Sequence, residues 1–525
     1  LSFATPDQRR VSGSDGGTSA LGLSDLDRPL REAEKPQWTL AMNLTTTQEN
    51  RFGAAPKAQQ LRDLAKETEG KPVTIVAQQI SVKDDQATLE RFVIKDGKVN
   101  SLGERPSRGF AQDLEDLTTW AASDHPAERM GVVIQSHGAA IRGMAGDNGD
   151  ASLAEIAEAL QEGLVMGGRT QLDLLNFDAC LMGQHEVLNA MAGIAEHVVA
   201  SSELELANGR MLGGMVDGQP TEEMIRALLE NPEMDGRSLA QKTVELASQA
   251  KRPFDVDGDG KADANGLMLN ATPTLAHFDM GDLDMTVRAM DDLGSTLSEA
   301  MQDPTQRAVI EDLITRTPRF SGDTLEFAAP GLQQRDLKSF AEKLLTAVAD
   351  GKLTDPSGSL SQAATASLEA LNELVEAYHG EEDGSLDNVT TQNYRAMGGF
   401  GVFLPSAEFA RGTPETMRSP LERIQLHAAD VAKQFDESAE KGPLRGLRDI
   451  FLGGASRELS LLRPSLDPKD VETFKLLDKA YHKAENAGPG EFADAVREFA
   501  ATARQAQAEG IDRPAMETLN QHREA

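Results

Sequence analysis

One cysteine and one histidine of this chain stand where they could act together as a nucleophile and its base. Cys180 is the only cysteine, and it closely follows the apolar run 172–177. His137 follows an earlier apolar run at 131–136 and is itself followed by a glycine. A thiol becomes a useful nucleophile when a neighbouring imidazole takes its proton or holds it as the thiolate. These residue types therefore indicate nucleophilic catalysis, provided that the fold brings the two side chains together.

Other interpretations of Cys180 remain open at this point. Free cysteines are among the most buried residues and usually pack as small apolar side chains. His185 is the main competing base, but on a helix that leaves the nucleophile its side chain would point away. A zinc site formed by Cys180, His137 and His185 would lack the paired ligands that are typical of such sites.

Asp178 and Gly138 complete the candidate site. Asp178 lies two residues before Cys180, so strand alternation places both side chains on the same side. A carboxylate at the floor of a substrate cleft would select a cationic side chain, arginine most favourably, whereas the structural alternative is a helix N-cap. The amide of Gly138 could donate to a developing oxyanion together with the amide of Cys180.

The elements that must position these residues are strands alternating with helices, a pattern that predicts a mostly parallel sheet. Neighbouring parallel strands lie about 4.8 Å apart, which would bring His137 and Cys180 within side-chain reach at one sheet edge. The loop 139–150 separates His137 from a helix capped by Ser152 and Glu155. Strands are expected at 38–44, 73–77, 90–94, 131–136, 172–180, 197–202, 274–278 and 398–405. Helices are expected at 58–68, 110–122, 152–164, 184–191, 221–250 (two), 282–316, 335–349 and 361–379.

The same patterns divide the chain into three parts. Residues 1–36 are rich in Ser, Gly, Asp and Arg without an apolar period, and we expect them to be flexible. Residues 37–405 form the α/β domain, with an insertion around 203–273. Residues 406–525 are expected to form a helical C-terminal region.

Composition excludes several classes of function. The net charge of −33, from 85 acidic and 52 basic residues, argues against binding nucleic acid or anionic membranes. A single cysteine excludes an intramolecular disulfide framework. No apolar run reaches the roughly 18 residues of a membrane span. The first 36 residues show no signal-peptide pattern, which favours a cytoplasmic protein over an exported one without deciding the compartment.

The segment 255–263 carries an incomplete calcium-loop pattern. Three carboxylates alternate along it, a glycine occupies loop position 6, a backbone carbonyl position 7 and another carboxylate position 9, but position 12 is Gly266. The alternative is an acidic surface turn. The expected calcium ligands are Asp255, Asp257, Asp259, the carbonyl of Lys261, and Asp263.

Two segments of the chain together resemble the clostripain family of cysteine endopeptidases. They are Ser136-His137-Gly138 and Phe177-Asp178-Ala179-Cys180-Leu181-Met182-Gly183. The resemblance extends over roughly 37–410, although the residues flanking His137-Gly138 depart from the usual family pattern. It implies a caspase-like α/β sandwich with a mostly parallel central sheet flanked by helices. It also makes 37–405 the peptidase domain.

The resemblance further implies roles for individual residues. His137 would be the base, Cys180 the nucleophile and Asp178 the residue that selects Arg or Lys before the scissile bond. Family members are often activated by self-cleavage between the histidine and the cysteine, for which Arg142 and Arg169 are the candidates. The expected partners are protein or peptide substrates with a basic P1 residue, and catalysis would need no cofactor. The alternative is a catalytically inactive caspase-like interaction module, and the oligomeric state stays open.

Overall fold

The structure is a computed structural model of the 525-residue chain. It describes residues 36–44, 64–83, 86–146, 148–203, 205, 219–249, 251–253, 268–270, 274–320, 333–380, 394–405, 420–437, 469–488, 490–512 and some positions within 451–462. The N-terminal segment 1–35 and the predicted calcium loop 255–263 lie outside the described residues, as do 206–218 and 254–267 of the insertion.

Strands and helices alternate through most of the described chain. The strands are β1 (Trp38–Leu44), β2 (Val73–Lys83), β3 (Gln86–Lys95), β4 (Lys98–Pro106), β5 (Arg129–Gln135), β6 (His137–Gly138), β7 (Met144–Gly146), β8 (Gly149–Ala151), β9 (Leu174–Asp178), β10 (His197–Ala200), β11 (Lys251–Pro253), β12 (Met268–Asn270), β13 (Thr274–Asp279), β14 (Gln334–Asp336), β15 (Val375–Gly380) and β16 (Gly401–Phe403). The helices are α1 (Phe110–Asp124), α2 (Leu153–Met166), α3 (His185–Ala190), α4 (Thr221–Glu230), α5 (Gly236–Gln249), α6 (Leu283–Ala300), α7 (Pro304–Arg316), α8 (Leu337–Ala349), α9 (Ser359–Leu374), α10 (Pro420–Glu437), α11 (Val471–Glu485) and α12 (Phe492–Glu509).

A nine-stranded sheet forms the centre, in the order β15-β13-β10-β9-β5-β1-β2-β3-β4. Its five middle strands, from β10 to β2, are all parallel. Antiparallel strands extend the sheet on both sides, β3 and β4 at one side and β13 and β15 at the other. At the outer edge, β4 is exposed along most of its length.

Helices cover both faces of this sheet, so its middle strands are buried on both sides. All seven residues of β1 are buried, as expected for a parallel strand covered on both sides. Ala41 packs into the apolar cluster that contains α1 and α2. Its neighbours Leu40 and Met42 pack into the cluster that contains α4 and α5. The predicted α/β sandwich with a mostly parallel central sheet is therefore confirmed.

Three segments differ from their predictions. The expected loop 139–150 contains β7 and β8, which pair with β6 into a small antiparallel sheet. The helix expected at 361–379 ends at Leu374, because 375–380 forms β15 against β13. The strand expected at 398–405 shortens to β16 and pairs with β14 outside the central sheet. The hydrogen bonds that decide β15 and β16 come from partners distant in sequence, which a local pattern does not contain. The small sheet of β6, β7 and β8, in contrast, pairs residues only three to eight positions apart.

The last three described helices share an apolar cluster of their own. Among the described residues this cluster extends from Leu421 to Ile511 and includes none from the central sheet. Helices are thus found where the sequence predicts them, while a domain boundary at 405/406 stays a prediction. Across the described residues, no helix combines the length and apolar character that a membrane crossing requires.

Candidate functional site

Strands β5 and β9 carry the predicted histidine and cysteine to one edge of the sheet. The two strands are parallel neighbours in which Gln135 lies opposite Asp178. His137 and Cys180 each come two residues later, and between them the Ser136 N–H donates to the Asp178 carbonyl at 3.2 Å. The register therefore places the two residues at matching positions beyond the carboxyl ends of adjacent strands, where open α/β sheets hold their ligands.

Gly138 lies directly against the backbone of Cys180. A Cβ atom added at Gly138 would lie 2.0 Å from the Cys180 carbonyl oxygen and 2.9 Å from Cγ of Met182. Since real Cβ atoms do not approach backbone oxygens so closely, only glycine fits at this position. The chain after His137 and the chain around Cys180 are consequently in direct contact.

Cys180 lies in the turn that leaves β9, and residues after β10 hold this turn in place. Leu181 adopts a left-handed φ of 62°, an uncommon conformation for a branched side chain. Its N–H donates to the Glu203 carbonyl at 3.1 Å, and the Gly183 N–H donates to the Ser201 carbonyl at 2.7 Å. Hydrogen bonds to the residues that follow β10 therefore hold the strained backbone at Leu181 in place.

Cys180 is 9% exposed and lies in a small apolar cluster with Leu181, Phe320 and Tyr394. The Glu205 N–H donates to its sulfur at 3.3 Å. The thiol in turn donates to the Glu205 carbonyl oxygen at 3.7 Å. His137, in contrast, is exposed at the surface of the same edge.

Asp178 is completely buried beside the nucleophile. Its Oδ2 accepts hydrogen bonds from Gln135 Nε2 at 3.0 Å and from Thr221 Oγ1 at 2.7 Å. Burial raises the pKa of the carboxyl to about 7, although the hydrogen bonds from Thr221, Gln135 and the Gln219 backbone act in the opposite direction. The carboxyl therefore changes its protonation near neutral pH.

The residues proposed as alternative or metal ligands lie apart from this group. His185 begins α3 and packs edge-to-face against Phe400, with 6.1 Å between the ring centroids. Burial lowers its pKa. In the described part of the chain, no three His, Cys, Asp or Glu side chains are grouped so that they could hold a metal ion. The predicted calcium ligands fall outside the described residues.

The two predicted self-cleavage positions lie at different edges of the sheet. Arg142 ends a short 3-10 helix in the loop that follows His137, and it is exposed. Arg169 precedes β9, on the opposite edge from Cys180. Its guanidinium donates to the Ala127 carbonyl at 3.1 Å and to Asp173 at 3.0 Å.

An open cavity of about 560 Å³ also lies at that opposite edge. Its titratable lining residues include His197, Asp235, Arg237 and Asp279, and Arg237 already pairs with Asp279 at 2.8 Å. Behind it, His277 is fully buried with Nε2 3.1 Å from His197 Nδ1. Burial, followed by the charge of His197, lowers the pKa of His277 to about 3.

Thr221 and Glu205 contact the site although the sequence gives no indication of it. Thr221 follows Asp178 by 43 residues, and in the sequence it only marks the start of a helix. Glu205 follows Cys180 by 25 residues and contributes a backbone group, which every residue type except proline possesses. Neither residue carries a pattern that could have revealed its contact.

The sequence profile described as the clostripain family matches residues 60–326. No curated protein matches the chain. A secreted C11 cysteine protease from Bacteroides thetaiotaomicron, solved with an irreversible peptide inhibitor, is 16% identical, with 72% of this chain and 97% of that chain covered and a TM-score of 0.47. An inactive zymogen C11 protease from Parabacteroides distasonis is 13% identical, with 72% and 94% covered and a TM-score of 0.45.

Proposed function

Since the chain belongs to the clostripain family of cysteine proteases, we propose that it cleaves peptide bonds after arginine or lysine with Cys180 as nucleophile and His137 as base. The observation that carries this proposal is the pairing of β5 with β9, which places both residues beyond one sheet edge. The contact between Gly138 and the Cys180 backbone supports it further.

In the proposed reaction, the thiolate of Cys180 attacks the carbonyl carbon of the scissile peptide bond. The amides of Gly138 and Cys180 donate to the oxyanion that forms. His137, which holds the thiol proton, transfers it to the leaving amine as the carbon–nitrogen bond breaks. Water then hydrolyses the thioester, with His137 taking a proton from the water and the thiol being released.

The proposed specificity rests on Asp178. Its carboxyl group is buried within two residues of the nucleophile, and a buried carboxylate binds a guanidinium or an ammonium far better than a neutral side chain. Because Asp178 has no exposure and Cys180 little, a substrate gains access only after the residues over them move. This closed site supports activation by self-cleavage.

A peptide assay tests the reaction. The protein is incubated with fluorogenic peptides that end in Arg, Lys or Leu, beside the variants Cys180→Ala and His137→Ala. Both variants should lose at least about 100-fold in rate, as for the loss of a nucleophile or its base. His482→Ala, at an exposed histidine of α11, should keep the full rate. Turnover that survives in Cys180→Ala would refute the proposal, and no turnover in any form would favour the inactive interaction module.

Self-cleavage is proposed at Arg142 rather than Arg169. Arg142 is exposed in the loop next to His137, whereas Arg169 is only half-exposed and lies at the far edge of the sheet. Intact-mass measurement of stored protein should show a fragment ending at Arg142, absent from Cys180→Ala and Arg142→Ala and retained in Arg169→Ala. Cleavage at Arg169 alone would contradict this choice.

Calcium binding is proposed from the sequence of 255–263 alone. Carboxylates at loop positions 1, 3, 5 and 9 provide oxygen ligands of the kind that calcium prefers. Calorimetric titration with calcium should give a binding signal that Asp257→Asn together with Asp259→Asn abolishes. An unchanged signal in the double variant, or no signal in the original protein, would refute it.

A further inference from the structure

The two side-chain hydrogen bonds to the Asp178 carboxyl group both reach the same oxygen. Gln135 Nε2 and Thr221 Oγ1 both donate to Oδ2, at 3.0 and 2.7 Å. Within the described residues, Oδ1 is buried and accepts no hydrogen bond. A buried carboxylate oxygen without a donor is costly, so this arrangement needs an explanation beyond packing.

Two different elements supply the two side-chain donors. Gln135 is the last residue of β5, and Thr221 is the first residue of α4. The side chains of both are almost completely buried, with 3% and 1% exposure. Since strand and helix are independently fixed by the core, Oδ2 cannot turn away without breaking both hydrogen bonds.

We propose that Gln135 and Thr221 are positioning residues that anchor Asp178 through Oδ2 and thereby present Oδ1 as the acceptor for a basic P1 side chain. This inference rests on the proposed function and extends it to two residues outside the catalytic motif. A guanidinium entering the site would supply the donor that Oδ1 lacks. A neutral side chain of the same shape would leave the buried acceptor poorly paired, which is how a hydrogen-bonding pocket rejects an analogue.

The anchoring also determines which form of Asp178 is available. Only the carboxylate attracts a cation, and the groups that face it are Gln135, Thr221 and the backbone of Gln219. Each of these hydrogen bonds favours the carboxylate against the effect of burial. Removing one donor should therefore shift the acidic limb of kcat/KM to higher pH, because the free enzyme would then hold its proton more tightly.

The test compares P1 arginine with P1 citrulline, its uncharged isostere, in otherwise identical peptides. In Thr221→Val, which keeps the shape and removes the hydroxyl, kcat/KM for the arginine peptide should fall about tenfold, as for one lost hydrogen bond to a charged group. The citrulline peptide should be unaffected, and the acidic limb should move upward. Thr221→Ser restores the hydroxyl and should restore both properties. Gln135→Met should behave like Thr221→Val.

A structural role would give a different result. If Thr221→Val lowers kcat/KM equally for the arginine and citrulline peptides, the positioning role is refuted. It is also refuted if the arginine preference and the pH profile stay unchanged. The rate at which iodoacetamide alkylates Cys180 needs no P1 side chain, so it should be the same in every variant that folds correctly.

A binding measurement separates this inference from the proposed reaction. Cys180→Ala protein is titrated with benzoyl-arginine amide by calorimetry, with and without Thr221→Val. If Thr221→Val weakens binding of the arginine ligand about tenfold, the inference is supported. This holds even if the original protein shows no Cys180-dependent turnover, because that result would refute only the proposed reaction. Selective binding that Thr221→Val does not weaken refutes the inference alone. No selective binding of the arginine ligand refutes it together with the proposed specificity.

Discussion

At the scale of single residues, the contact between Gly138 and the Cys180 carbonyl oxygen leaves no room for a side chain. Any larger residue must push apart the two chain segments that carry His137 and Cys180. This makes Gly138 important for the geometry of the site even apart from its amide group.

Replacing Gly138 with alanine should therefore inactivate the enzyme. We expect a loss of roughly 100-fold in kcat/KM, as for a displacement of about 1 Å within a reacting pair, and a loss of about 1–3 kcal/mol in stability from overpacking. Gly294→Ala is the matched control, because its added Cβ would meet nothing within 4 Å on α6. Equal activity in the two variants would contradict the close contact.

Asp178 should cost the protein stability above neutral pH. Burial raises the pKa of its carboxyl to about 7, whereas an unfolded aspartate titrates near 3.9. The folded state therefore binds the proton more tightly, and stability is lost as pH rises from about 4 through 7.

Asp178→Asn removes this penalty. Relative to the original protein, it should be more stable at pH 8, by on the order of 1–3 kcal/mol, and show little gain at pH 4. Chemical denaturation at both pH values measures the difference. A variant that is equally affected at pH 4 and pH 8 would show that the carboxyl does not titrate in this way.

At the scale of elements, helices α7 and α8 begin with aspartates in contrasting surroundings. Asp303 is exposed and accepts from the backbone N–H groups of Thr305 and Gln306. Asp336 is fully buried and accepts from the Ser339 N–H at 2.7 Å and the Gly398 N–H at 2.8 Å. The second cap thus joins α8 to the segment that leads into β16.

The two caps should differ in their contribution to stability. Asp303→Ala should cost about 1 kcal/mol, as for an ordinary N-cap. Asp336→Ala should cost about 2–3 kcal/mol, because it also leaves the buried N–H of Gly398 without its acceptor. Urea denaturation of both variants gives the comparison, and an equal cost would mean that the link to Gly398 contributes nothing.

These elements also show what could be predicted from the sequence. Strands β1, β5 and β9 are apolar on both faces and end at recognisable polar residues, so the edge that carries His137 and Cys180 was predictable. Strand β15 was not, since its hydrogen bonds to β13 join residues about 100 positions apart. The hydrogen bond from Thr221 to Asp178 could not be predicted for the same reason, because the two residues meet only after the chain has folded.

At the scale of the molecule, the described residues form apolar clusters that differ in their place along the chain. Phe278 lies in the cluster around the central sheet, and Phe499 lies in the cluster of α10, α11 and α12. Each is fully buried. A cavity made in one cluster should therefore weaken mainly the elements around that cluster.

Hydrogen exchange should reveal this separation. Phe499→Ala should remove about 3–5 kcal/mol of packing and speed amide exchange within 420–437 and 471–509, leaving the sheet strands and the alkylation rate of Cys180 unchanged. Phe278→Ala is the reciprocal variant, expected to speed exchange in β10, β13 and β15. Acceleration across the whole chain in both variants would show one cooperative unit instead.

The exposed edge strand β4 has a consequence for how this protein behaves at high concentration. An open edge strand is a template on which another chain can add. Along β4, Lys98, Glu104 and Arg105 place charges on that edge, and Pro106 closes it with a residue that has no N–H to offer. These residues discourage edge-to-edge aggregation at the strand itself, and the net charge of −33 adds a general repulsion between copies of the chain.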